Sequence, residues 1–278
     1  MGLITALPGA AAQGLIWGIM AIGVYITFRI LDIADLTVDG TLCTGGAVCI
    51  MMMLSGHNVW VSMLVATGAG LLAGLATGIF HTFMGIPAIL AGILTQLSLY
   101  SVNLKIMGKA NQAINVDKFN LLVSLRRVKG VALTQNTLFI VAIMIIILIA
   151  VLYWFFGTEL GCSLRATGCN PSMSRAQGIN TDFCKVLGLM ISNGLVALSS
   201  ALLAQYQGFA DVNMGRGAIV IGLAAVIIGE AIFSRIFRNF ALRLLAVAFG
   251  SILYYLVLQT VIWMGIDTDL LKMLSALV

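Results

Sequence analysis

Apolar residues along this chain gather in long runs, not in the alternating pattern of half-buried strands or the three-four spacing of helices with one wet face. Runs close to the roughly 20 residues needed to cross a bilayer core occupy positions 12–31, 38–55, 58–82, 86–104, 136–156, 185–206, 216–234 and 244–265. They predict an all-α integral membrane protein of about eight transmembrane helices, forming a single transmembrane domain over 1–278. Residues 268–278, TDLLKMLSALV, read as the opening turns of a ninth helix, stopping at about half the length a span requires. Two polar segments, 105–135 and 157–184, interrupt the pattern and hold more than half of the fifteen Lys and Arg residues, so both belong outside the hydrocarbon.

Alternation along the chain puts 32–37, 83–85, 157–184 and 235–243 on one face and 56–57, 105–135, 207–215 and the C-terminal end on the other. The first face collects Arg29, Arg165, Arg175, Lys185, Arg235, Arg238 and Arg243. The second collects Lys105, Lys109, Lys118, Arg126, Arg127, Lys129, Arg216 and Lys272. The counts nearly tie. Short loops weigh more in setting orientation, and six of the second face's cations sit in the longest loop, so the first face is expected to be cytoplasmic.

Composition removes whole classes of function. Residues are 61% hydrophobic and 9% charged, against about a quarter charged in soluble domains, so the bilayer is the main solvent. The net charge of +5 comes with no basic helix or aromatic-plus-basic motif and reads as topology, not nucleic-acid binding. Cys43, Cys49, Cys162, Cys169 and Cys184 lack metal-ligand spacing and are expected to be free thiols, mostly packed, with no metal. No phosphate-loop motif occurs, so this chain is not expected to bind or hydrolyse ATP itself, and no cofactor is expected on it. The first thirty residues lack the layout of a removable signal peptide, and the first run is expected to stay in place.

Gly70, Gly74 and Gly78 recur every four residues in the third span, a small-residue face suited to helix packing. The stretch from Ala34 to Gly40 (ADLTVDG) is echoed by Ala210 to Gly217 (ADVNMGRG). In the alternating layout the two copies lie on opposite sides, as in an inverted repeat with discontinuous helices. Asp35, Asp39 and Asp211 beside apolar runs are open to two readings, helix caps at the water boundary or ionisable groups with a role in transport. Thr37, Gln96, Asn103, Asn193 and Asn213 are candidates to line a path or to bond between helices. Glu230 either faces water or pairs with Arg235.

Between the fifth and sixth spans, GCSLRATGCNPSMSRAQGIN (161–180) fits a short amphipathic helix capped by Ser163, with Pro171 interrupting it or opening a second turn and Gly178 closing it. Here the chain resembles the permeases of bacterial ATP-binding cassette importers of the branched-chain amino acid and ribose type. Their coupling-loop pattern is met by Leu164, Arg165, Ala166, Gly168, Asn170, Arg175, Gly178, Ile179 and Asn180. The resemblance extends to GLIWGIMAIGVYITFRI in the first span, Gly85-Ile86-Pro87-Ala88 before the fourth and Gly215 to Gly229 in the seventh, and so covers nearly the whole chain. It is most similar to amino-acid permeases of the tryptophan and tyrosine type. The turn at Ala34 to Gly40 departs from the family's His-containing pattern.

The resemblance implies a subunit of a bacterial inner-membrane importer. It implies that the 157–184 loop is cytoplasmic and inserts a short helix into an ABC ATPase subunit, with Arg165 and Arg175 as contacts. The 105–135 loop would be extracytoplasmic, facing a solute-binding protein or lipoprotein, and the permease a homodimer in the lipid bilayer. An ion-coupled secondary transporter is the alternative and would need acids deep in the membrane, for which Glu230 is a poor candidate. A membrane-embedded enzyme would need a catalytic cluster, and His57 and His81 stand alone at span ends.

Overall fold

The computed structural model describes residues 3–116, 119, 121–128, 136–233, 237 and 239–264. Ten α-helices run through them. α1 (Leu3–Tyr25) continues into a π-helical turn (Ile26–Ile30), followed by α2 (Thr37–Leu54), α3 (Val59–Thr82) and α4 (Ala88–Met107). A three-residue strand β1 (Asn111–Ala113) and a 3-10 turn (Leu125–Val128) precede α5 (Thr137–Gly157), α6 (Glu159–Cys169) and α7 (Pro171–Ala176). Then come α8 (Thr181–Gln207), strand β2 (Phe209–Asp211), α9 (Ala218–Phe233) and α10 (Phe240–Trp263). The eight expected spans all occur, with ends within a few residues except at the start of α1. Seven are long and apolar enough to cross a membrane, and α9 is shorter. The candidate ninth helix at 268–278 lies outside the described residues.

α1, α2 and α8 form the inside of the bundle, while α4 and α5 turn large apolar side chains such as Leu97, Ile146 and Trp154 outward. In water such a surface would be untenable; in lipid it is the solvated one. Gly70, Gly74 and Gly78 do serve packing. They lie against Asn193, Leu189 and Val186 of α8, where an added Cβ would meet backbone.

Chain alternation receives independent support at both ends. β1 pairs antiparallel with β2, with Asn111 opposite Asp211, which joins the segments after α4 and α8 on one face. At the other end α6 packs on the π-helical turn and Arg29 pairs with Glu230 near the end of α9. Glu230 therefore takes Arg29 as its partner; Arg235 lies outside the described residues.

The helix ends explain where the chain stops. α4 and α8 close on Gly108 and Gly208, both with φ in the left-handed region, at +68° and +80°. Within the 157–184 loop the caps differ from expectation at one point. Thr158, not Ser163, accepts the Gly161 N–H at the start of α6, because Ser163 already lies inside the helix and bonds back to the Glu159 carbonyl. Pro171 opens α7 at its first position, where its missing N–H costs no hydrogen bond. Asn170 caps α7 and Asn180 caps α8, each accepting an N–H three residues on.

Candidate functional site

Two breaks in helix regularity are joined through α2 inside the bundle. The first follows the π-helical turn and covers residues 31–36, with Asp32 at a φ of +56°. Near its end stands Asp35, only 3% exposed. One Asp35 oxygen accepts the Thr37 N–H at 2.9 Å, capping α2 from within its own turn. The other accepts from Asn193 Nδ2 at 2.7 Å. Asn193 is twelve residues into α8, about 18 Å along its axis, so this carboxylate is deep in the fold.

A chain of hydroxyls extends the contact. The Thr41 hydroxyl donates to Asn193 Oδ1 at 2.7 Å, Thr37 and Thr77 hydroxyls lie 2.7 Å apart, and Thr77 donates to Thr95 at 2.9 Å. Four helices, α2, α3, α4 and α8, are tied through polar groups that have no water to turn to. Thr37 and Asn193 are thus fully engaged between helices.

The second break, residues 208–217, precedes α9. At 16 residues, α9 is about 24 Å long, short of the roughly 30 Å hydrocarbon core. Asp211 accepts the Asn213 N–H at 2.7 Å, the same two-residue turn that Asp35 makes with Thr37. The sequence echo is therefore an echo of geometry. Asn213 itself is exposed in the turn.

The start of α9 is held by Asp39, in the first turn of α2. Its two oxygens accept the N–H groups of Gly217 and Ile219, each at 3.0 Å. A carboxylate there meets both the unpaired amides and the positive end of the helix dipole. Of the two readings of Asp35 and Asp39, the geometry shows the cap: each carboxylate accepts N–H groups at a helix start, Asp35 from a buried position and not at a water boundary.

Beside this junction opens a cavity of about 330 Å³, lined by Asp39, Gly40, Cys43, Gln96, Leu97, Tyr100, Asn103, Val212 and Arg216. Of the five polar candidates, Gln96 and Asn103 come together here, while Asn213, Thr37 and Asn193 do not line the cavity. Asn103 is fully buried, and both polar atoms of its amide lack a partner among the described residues. A protein interior rarely leaves an amide so. Arg216 and Tyr100 complete a rim that sequence reading missed. Arg216 had a signal in the Gly215-Arg216-Gly217 turn before α9, whereas Tyr100 joins the wall only because Gly40 lets α4 close on α2.

The 157–184 segment divides into a packed base and an exposed tip. Leu164 is fully buried, and Gly168 abuts the carbonyl of Ile30 so closely that a Cβ would collide with it. Arg165 turns back over the Phe240 ring, its guanidinium carbon 5.9 Å from the centroid. Ala166 is exposed beside it. Asn170, Arg175, Gly178 and Asn180 are exposed and Ile179 half-buried. Arg175 bonds to Thr181 at 2.7 Å and Asp182 at 3.3 Å, which fixes α7 to the start of α8.

Residues 7–278 match the family profile described as branched-chain amino acid transport system / permease component. The chain is 39% identical over 275 residues to a tyrosine transport system permease protein of Clostridioides difficile (strain R20291), spanning 99% of this chain and 89% of that one. It is 38% identical over 280 residues to the uncharacterized protein RP368 of Rickettsia prowazekii (strain Madrid E), spanning 99% and 94%. The fructose import permease protein FruF of Bifidobacterium longum (strain NCC 2705) is 26% identical over 236 residues, spanning 84% of this chain and 64% of that one. With its bundle of apolar helices, the chain belongs to the permease-component family of branched-chain amino acid transport systems and is a multi-pass protein of the bacterial inner membrane.

Proposed function

We propose that this chain is the transmembrane permease subunit of an ATP-binding cassette importer, and that its solute is an amino acid. The observation that carries the coupling is the seat of Gly168 on Ile30. It links the α6–α7 segment to the π-helical turn, and the turn runs straight into the 31–36 break. That break contains Asp35, which caps α2, and α2 through Asp39 holds the start of α9. A push on α6 thus reaches the cavity through rigid contacts, which is what a packed two-state element requires.

In this reading α7 and the exposed residues Asn170, Arg175, Gly178 and Asn180 face the cytoplasm and engage a partner ATPase, while Leu164, Arg165, Ala166 and Gly168 form the base that transmits its movement. Hydrolysis takes place on the partner. The segment 105–135 and the β1–β2 pair face the opposite side, where a solute-binding protein delivers its cargo, and two copies of the permease frame the path. The cavity at Gln96, Asn103 and Arg216 is the permease's own stretch of that path. The amides of Gln96 and Asn103 offer hydrogen bonds to a polar solute without holding it tightly, as turnover requires. The amino-acid assignment draws its support from the relative named for tyrosine transport.

The test is purification followed by reconstitution. An importer permease brings an ATPase through purification, and vesicles containing both, with the binding protein, take up labelled tyrosine or another amino acid only with ATP inside the compartment that α7 faces. A chain that purifies alone and accumulates solute on an ion gradient would be a secondary transporter instead.

A further inference from the structure

Away from the solute cavity, three arginines from three elements converge where the helices end. Arg29 closes the π-helical turn, Arg243 lies in the first turns of α10, and Arg165 projects from α6. They line two adjoining cavities of about 410 and 430 Å³, with Arg29 and Arg243 shared by both. Among the described lining residues one carboxylate opposes them, Glu230, which holds Arg29 at 3.1 Å. The balance is two uncompensated positive charges. The remaining wall is aromatic: Phe240 lies under the Arg165 guanidinium, and Tyr25 is buried beside Arg243.

All three arginines are exposed, so a ligand can reach them, and no protein group among the described residues neutralises two of the three. A ligand that fits there is anionic, polar at one end, and compatible with aromatic walls at the edge of the hydrocarbon. A soluble anion satisfies the first condition alone. The headgroup of an acidic phospholipid satisfies all of them, since its phosphate meets the guanidinium forks while its glycerol and upper chains lie along Phe240 and the outer helix faces. The position fits as well. Arg29, Glu230 and Arg243 each stand within two turns of a helix end, and a helix that spans the hydrocarbon ends near the headgroups.

The geometry points to a binding site for one anionic phospholipid in this Arg29–Arg165–Arg243 hollow. Its placement in the cytoplasmic leaflet rests on the orientation proposed above; the binding itself does not. Occupation would brace α6 against α1 and α10 at the base of the coupling segment.

Native mass spectrometry of the full-length chain, taken as it comes from the membrane in mild detergent, tests this with phosphatidylglycerol and phosphatidylcholine of equal chain length. Phosphatidylglycerol is expected to be retained preferentially. Arg243→Gln should lower its retention roughly fivefold, from about 1 kcal/mol per basic residue near an anionic surface, while Arg243→Lys should keep most of it. Glu230→Gln removes the opposing charge and should raise retention by a similar factor. A misfolded variant could not produce these opposite shifts. Equal retention of both lipids, or movement of Arg243→Gln and Glu230→Gln in the same direction, overturns the site. Displacement of phosphatidylglycerol by millimolar inorganic phosphate makes it a free-anion site and also overturns the lipid assignment. Loss of a copurifying protein from Arg243→Gln with lipid retention unchanged would make the hollow a protein-docking surface. A failure of amino-acid uptake would count against the proposed transport function and leave these lipid measurements standing.

Discussion

Gly168 on α6 rests against the main-chain carbonyl of Ile30, with no space between them for a side chain. The neighbour is backbone in a π-helical turn, so it cannot rotate away as a flexible side chain would. Gly168→Val should therefore force the α6 base off the turn at an overpacking cost of about 1–3 kcal/mol. The expected outcome is a protein that still inserts in the membrane and still binds its ATPase, yet hydrolyses ATP without solute uptake. Reconstituted vesicles measure both rates, and unchanged coupling would show that the seat is packing alone.

The Asp39 carboxylate is the cap of a helix to which it does not belong. Asp39→Ala strips acceptors from two amide groups at the start of α9, and hydrogen bonds to a charged group are each worth about 1.5–3 kcal/mol. Asp39→Asn keeps one oxygen and should lose about half as much. Thermal unfolding in detergent should rank wild type above Asp39→Asn and Asp39→Ala last. Equal stability of all three would mean that the α2–α9 contact does not hold the break in place.

Asn103 separates a functional from a structural role by sign. Its buried amide lacks partners among the described residues, so Asn103→Leu should leave stability unchanged or raise it by about 1–3 kcal/mol, the cost of an unsatisfied buried group. Uptake should fall. Were Asn103 a structural residue, the same change would lower stability, and thermal unfolding alongside transport distinguishes the two outcomes.

Arg175 is paired with Asp182, and both side chains are more than half exposed. An exposed pair of this kind contributes about 0–1 kcal/mol, so Arg175→Glu should leave the unfolding temperature nearly unchanged. If α7 is the tip that meets the ATPase, the variant should lose the copurifying ATPase. Retention of a normal complex would move the docking surface elsewhere.

The spans were legible because in lipid a helix has to be apolar along its whole length, and run length alone then locates it. Gln96 and Asn103 were legible as amides in apolar runs. What could not be read was pairing across distance. Nothing local to Asp39 says that it caps a helix that begins almost 180 residues later, and Arg29 gives no sign of choosing Glu230. The Ser163 cap failed for a physical reason: Thr158 has the same chemistry and stands one turn earlier, where α6 starts. The Asp35 and Asp211 turns were found because a short Asp turn is written in adjacent residues.

The orientation of the α6–α7 segment underlies the whole account, and the chain carries its own reporters. Cys162 and Cys169 on α6 are exposed, while Cys43, Cys49 and Cys184 are buried. A membrane-impermeant maleimide applied to intact cells should leave the protein unlabelled, and the same reagent on inside-out vesicles should label α6. Labelling from outside intact cells would place the segment on the wrong side of the membrane for an ATPase and contradict the account.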